Sequence, residues 1–183
     1  MAAGCILGVR ALAVQLGFYF HMLQALGLPA TLQAGSLTPA VKFTVGFMLL
    51  FSVVIALFKD VPDSKGDSRA GVRTLTVRLG PTKVFWACIW ILTAAYGGAC
   101  AYSLWAALSH TSGAAAAASA AAGGAAGIWA RTAASIAGHL GMAALLWQRA
   151  KKVNTERRQD LADCYMYVWK LFYAEYILIP LLL

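Results

Sequence analysis

The sequence predicts an all-α, polytopic membrane helix bundle, a single transmembrane domain over residues 1–183 with five transmembrane helices. Three observations predict it. Hydrophobic residues make up 61% of the chain and charged residues 12%, with a mean hydropathy of +0.69, a balance foreign to soluble domains. Apolar stretches of about twenty residues recur, each able to cross a hydrocarbon core roughly 30 Å thick. The basic residues sit between those stretches, so the net charge of +8 does not indicate a nucleic-acid partner; the partner it fits is a lipid bilayer.

The first expected span covers residues 5–28. Its start, "MAAGCILGVRALAVQLGF", has the flavour of a signal peptide, but the apolar stretch reaches Leu28 and is too long for a signal h-region. No Ser- and Arg-rich transit segment precedes it, and a natural start upstream of Met1 is expected. Gly27, Pro29, Gly35 and Pro39 then break the helix. The second span covers 39–58, around "VGFMLLFSVVIALF". A polar loop follows over 59–80. The third span, 81–108, opens on Pro81, which suits a first helical turn. Over 112–127, "SGAAAAASAAAGGAAG" is low-complexity: alanine favours helix, whereas Gly123 and Gly124 favour a break. It reads as a loop without chemistry of its own. The fourth and fifth spans cover 128–147 and 161–183.

Charge placement supports this topology. Five spans put the N-terminal flank, the 59–83 loop and the 149–160 loop on one face. Those regions hold Arg10; Lys59, Lys65, Arg69, Arg73, Arg78 and Lys83; and Arg149, Lys151, Lys152, Arg157 and Arg158, which is twelve of the fifteen basic residues. Only Lys42 and Arg131 flank the other face. That is the asymmetry of the positive-inside rule. The four cysteines, Cys5, Cys88, Cys100 and Cys164, form no CxxC pair and lie in or beside apolar segments, where cysteine behaves as a small hydrophobe.

Chemistry concentrates in "FKDVPDSKGD", residues 58–67, which holds three of the seven acidic residues. Pro62 lacks an N–H and biases Val61 away from the helical region, so the membrane helix is expected to end near Asp60. A short helix from Pro62 would set Asp63 and Asp67 four apart on one face. Two carboxylates at that spacing repel unless a cation joins them. All-oxygen donors without His or Cys favour Mg²⁺, which also takes the oxygens of a substrate phosphate. Lys59, Lys65, Arg69 and Arg73 are nearby cations for such a phosphate. Spacing alone leaves this site and a merely solvated acidic loop both open.

Elsewhere, His21, His139, Lys170 and Glu175 lie in or near spans, where ionisable groups are costly. Lys170 and Glu175, five apart, are expected to bind neighbouring helices and to be structural. For His21 and His139 structure and function weigh evenly. Asp160 and Asp163 suit the start of the last span, where acids complement the helix dipole.

The stretch "SVVIALFKDVPDSKGDSRAGVRTLTVRLG" closely resembles the second aspartate-rich motif of UbiA-type membrane prenyltransferases, and "VRALAVQLGFYFHM", "KVFWAC" and "CYMYVWKLFYAEYILIPLL" are similar to the homogentisate phytyltransferase branch of plants and algae. The resemblance covers nearly the whole chain except the alanine insert. It implies a nine-helix fold whose second motif lies between helices six and seven, so the five spans correspond to helices five to nine. The family's first motif, an Asn followed by two aspartates at a spacing of four, is absent from these 183 residues. This is expected to leave half an active site, with the missing N-terminal half or a homo-oligomer as partner.

The implied activity is that of an aromatic prenyltransferase. It is Mg²⁺-dependent transfer of a phytyl group from a prenyl diphosphate to homogentisate, in tocopherol (vitamin E) biosynthesis in a plastid (chloroplast) membrane. By the resemblance, Asp63 and Asp67 hold the metal, and Asp60 completes the shell or orients a metal-bound water, the three forming the catalytic set. Lys59, Lys65 and Arg73 contact the diphosphate. Tyr96, Trp169, Phe172, Tyr173 and Tyr176 are candidates to shield an allylic cation, although aromatics at span ends also form interfacial belts. Alternatives are a homogentisate solanesyltransferase, a chlorophyll synthase-like enzyme, and an inactive fragment or partner subunit. A transporter would show paired repeats or a midplane charge relay, and neither is visible.

Overall fold

The structure is a computed structural model that describes residues 7–27, 37–111 and 124–182. Every regular element among them is helical. A π-helical segment, Leu7–Val14, runs into α1 (Gln15–Ala25). Then follow α2 (Pro39–Phe58), the short α3 (Ser64–Arg69) and α4 (Leu75–Leu79), α5 (Pro81–Thr111), α6 (Gly124–Ala150) and α7 (Arg158–Leu178), closed by a 3₁₀ turn, Ile179–Leu182.

Local chemistry sets the helix ends. Thr38 caps α2 by accepting the Val41 N–H at 3.3 Å, with Pro39 behind it at the first turn, and a threonine cap with proline at N1 is a favoured start. Gly80, at φ 89°, turns the chain between α4 and Pro81 of α5. The last helix gives way to 3₁₀ geometry beside Pro180, whose missing N–H and ring cannot continue an α-helix. α5 outruns its expected end at Leu108 and continues to Thr111. Residues 124–127, expected in the alanine-rich loop, instead form the first turn of α6, beginning at Gly124 with φ 66°. Once the glycine has made the bend, alanine propensity takes over. Residues 112–123 lie outside the described part.

The core forms where four helices meet. α2 contributes Phe47, Met48, Phe51, Val54, Ile55 and Phe58, one helical face. It packs on α5, α7 and the π-helical segment. The tightest partnership joins α5 to α6. Along α5, Ala95, Ala99, Ser103 and Ala107 are all buried and recur every four residues. Such a small-residue stripe lets the two backbones approach closely for dispersion and polar contacts. Trp147 of α6 uses this closeness, its indole N–H donating to Thr93 at 2.9 Å. The first helix is peripheral. No residue of α1 is buried, and Gln15 ties it to α7 by donating to the Tyr176 hydroxyl at 2.9 Å.

Among the described residues two helices, α2 and α5, are long and apolar enough to cross a membrane. The other expected spans do not pass that test of length and composition. α6 opens on small residues and Arg131, and α7 carries Asp160, Asp163, Lys170 and Glu175.

Candidate functional site

The acidic loop begins where α2 ends at Phe58. Residues 59–63 form turns, and α3 starts at Ser64 rather than at Pro62. Asp63 therefore stands at the N-cap and Asp67 one turn inside, its N–H bonded to the Asp63 carbonyl at 2.9 Å. Asp63 does not use its carboxylate as a cap, although aspartate at this position is among the best capping residues. The far end of α3 is locked. The Val72 N–H reaches the Asp67 carbonyl at 2.9 Å and the Gly71 N–H reaches Ser68 at 3.2 Å, with Gly71 at φ 71°. These are the paired bonds of a Schellman ending. Thr74 then caps α4 by accepting from Val77 at 3.2 Å. The segment that follows the aspartates is thus held by its own caps.

The three aspartates share one electrostatic neighbourhood. Partial burial raises the proton affinity of Asp60 above the ordinary carboxylate range, Lys59 at 3.9 Å opposes this, and the charges of Asp67 and Asp63 add to it. Lys65 and Arg73 lie exposed on the same loop. Among the described residues no three His, Cys, Asp or Glu side chains form a group that could hold a metal by themselves. The carboxylates nonetheless suit Mg²⁺. They are oxygen donors in mutual repulsion, and Mg²⁺ uses one or two protein carboxylates and completes its shell with water and phosphate oxygens.

A fourth participant comes from the other end of the chain. Arg158, at the start of α7, places a guanidinium N–H donor 2.5 Å from Asp63 Oδ1. Its loop is brought there by Thr82, which donates to Thr155 at 2.9 Å. The loop is held by its own polar bonds, Asn154 Oδ1 accepting from the Glu156 N–H at 2.9 Å and Asp160 from the Asn154 N–H at 3.2 Å. The 59–83 and 149–160 loops therefore meet on one face. Sequence placed Arg158 among the basic residues of that face but not beside Asp63, since 95 positions separate them.

A second polar group lies inside the bundle. His139 of α6 and Glu175 of α7, weighed separately on sequence, face each other at 3.3 Å with no exposed side-chain surface. His139 Nδ1 lies 2.7 Å from the Ser135 carbonyl, which only accepts, so Nδ1 carries a proton. Nε2 faces Glu175 Oε2, and among the described residues neither atom has a further hydrogen-bond partner. The Ser135 and Ser103 hydroxyls, 2.9 Å apart, extend the group to α5. The rings of Phe47 and Tyr96 pack against the imidazole. Lys170, by contrast, is exposed. His21 is exposed on α1, where it lines an open apolar pocket of about 380 Å³ with Ala13, Val14, Gly17 and Phe18. Of the aromatics, Tyr96 and Phe172 are buried and both meet Phe51, while Tyr173 and Tyr176 face outward.

Compared with known proteins, residues 6–136 match the profile of the UbiA prenyltransferase family. The chain belongs to that family. Among UbiA relatives it is 40% identical to homogentisate phytyltransferase 1 of Arabidopsis thaliana, over all of this chain and 40% of that protein. It is 42% identical to homogentisate geranylgeranyltransferase of Hordeum vulgare, over 98% of this chain and 38% of the relative. Against homogentisate phytyltransferase of Synechocystis it is 38% identical, over the whole chain and 51% of the relative. The chain thus spans about two-fifths to half the length of these UbiA relatives. No solved structure matches it.

Proposed function

We propose that this chain supplies the acidic half of a Mg²⁺-dependent prenyltransferase site, acting at a plastid membrane that it crosses five times. The proposed reaction moves an isoprenoid chain from its diphosphate to homogentisate, as in tocopherol formation. The observation that carries this reading is the loop of Asp60, Asp63 and Asp67 at the end of α2, in a UbiA-family chain whose relatives are named for homogentisate transfer.

When bound, the metal would supply charge neutralisation for the departing diphosphate. Asp63 and Asp67 would hold it, with Asp60, whose carboxyl partial burial makes harder to ionise, beside them to complete the shell or orient a metal-bound water. Lys59, Lys65 and Arg73 bind diphosphate oxygens, the arginine through its forked donors. Hydrogen-bond donors aimed where charge develops stabilise the leaving group as the allylic bond ionises. The electron-rich ring then forms the new C–C bond as the C–O bond to diphosphate breaks; the proton on that ring carbon is released, and the acceptor's carboxyl group leaves as CO₂, a proton taking its place. Phytyltransferases and geranylgeranyltransferases are similar to this chain to nearly the same degree, so either isoprenoid is a proper donor to try.

The test is a membrane assay with radiolabelled homogentisate, Mg²⁺ and either diphosphate. The chain is assayed alone and beside a co-expressed N-terminal half of a relative that carries the first aspartate motif. Prenylated product is expected at least in the paired sample, and Asp63→Asn is expected to lower it about a hundredfold or more, in line with several kcal/mol of charge stabilisation. Product unaffected by Asp63→Asn would sink the reading.

A further inference from the structure

Among the described residues, Arg158 is the one charged side chain from outside the acidic loop that forms an ion pair with one of the three aspartates. We infer that Arg158 is an exchangeable counter-ion of Asp63: it holds the carboxylate when no metal is there, yields it to a divalent cation, and passes its guanidinium to the diphosphate. The inference rests on the metal–diphosphate reading of the loop given above and adds a residue and an order of events to it.

Three observations carry it. Asp63 occupies an N-cap without capping, so its carboxylate is withheld from the bond that would stabilise α3 and is presented to Arg158 instead. The pair is open to solvent, with 76% of the Arg158 side chain and 56% of that of Asp63 exposed, and exposed ion pairs are weak enough to be displaced. The delivery of Arg158, however, is built. Thr82–Thr155 clips the two loops together, Asn154 and Asp160 shape the second, and the neighbouring acid Asp163 is engaged by Gln159 at 3.0 Å and Arg149 at 4.0 Å.

A loosely held cation on a shaped loop fits an exchange role better than a strut. Once a metal takes Asp63, a diphosphate bound to that metal lies beside the released guanidinium. Phosphate matches the arginine fork better than a single carboxylate oxygen does.

The consequence is a pair of effects with opposite signs. In detergent-solubilised full chain, Mn²⁺ binding is followed by electron paramagnetic resonance, and pyrophosphate binding in saturating Mg²⁺ by calorimetry. Arg158→Gln is expected to tighten Mn²⁺ about two- to fivefold, because a competing surface pair is gone. The same change is expected to weaken pyrophosphate about tenfold, because a charge-assisted hydrogen bond is lost. Arg158→Lys, which keeps the charge without the fork, should fall between on pyrophosphate.

If both affinities weaken together, or neither moves while the wild type binds Mn²⁺ and loses it on Asp63→Asn, the exchange role is wrong and the metal site stands. If the wild type binds no Mn²⁺ even beside the co-expressed N-terminal half, the metal reading of the loop fails and takes this inference with it. Thermal melts of each variant separate a folding defect from a binding one.

Discussion

Two acid–base pairs in this chain are made of similar groups and live under opposite conditions. Asp63 and Arg158 meet at 2.5 Å between two loops and face solvent. His139 and Glu175 meet at 3.3 Å between two helices and see none. They are well separated: Phe47, whose ring packs on His139, precedes the end of α2 at Phe58 by eleven positions, roughly 16 Å of helix. At the loop, water solvates either partner when the other leaves, so the contact is reversible and suited to handling ligands. Within the bundle neither partner has an alternative, so the contact becomes a condition of folding.

Breaking the buried pair is the largest expected effect. Glu175→Ala leaves the His139 imidazole facing an apolar hole and should cost about 3–5 kcal/mol in reversible unfolding from detergent. The double variant His139→Leu/Glu175→Leu should recover much of that loss, since a buried pair replaced by apolar groups of similar size is often neutral. Additive losses instead would mean that each residue holds a separate partner. Arg158→Gln sharpens the contrast from the other side. Its effect on the same unfolding measurement should stay below about 1 kcal/mol, and a larger loss would make the loop contact structural.

The smallest expected effect concerns pH. Asp60 binds its proton more tightly in the fold than an ordinary carboxyl does. Its contribution therefore favours the folded state at low pH, and is lost as pH rises from the ordinary carboxylate range through the raised value. Without divalent metal, Asp60→Asn should flatten this part of the stability profile. Melts at pH 4 and pH 7, with and without Mg²⁺, check both the sign and the expectation that metal offsets the loss.

Sequence made the loop legible because its signals are local. Pro62 and three aspartates within eight positions set its place and its chemistry, and Thr38, Pro39 and Pro81 mark helix starts that the fold retains. The cross-chain partners were not legible. Nothing near Arg158 distinguishes it from Arg157, and its role depends on a loop contact 95 positions away. His139 and Glu175 did carry a signal. Thr132, Ser135, His139, Met142 and Leu146 form the buried face of α6, and Leu161, Cys164, Val168, Leu171 and Glu175 that of α7. An ionisable residue on each of two such helical stripes is a reason to pair them. Lys170, five positions before Glu175 on the same helix, masks that signal in the sequence, because the exposed lysine lies on a different face.

The buried contact of His139 with Glu175 also bears on how the chain is made. α6 precedes α7 in synthesis, so in a chain entering a bilayer the imidazole is already present when the carboxyl group arrives. On the proposed five-span reading, insertion of the last helix would be tied through this pair to the one before it. On that reading, a variant without His139 would leave α7 stranded at the surface, where membrane quality control would meet it before any enzyme assay could.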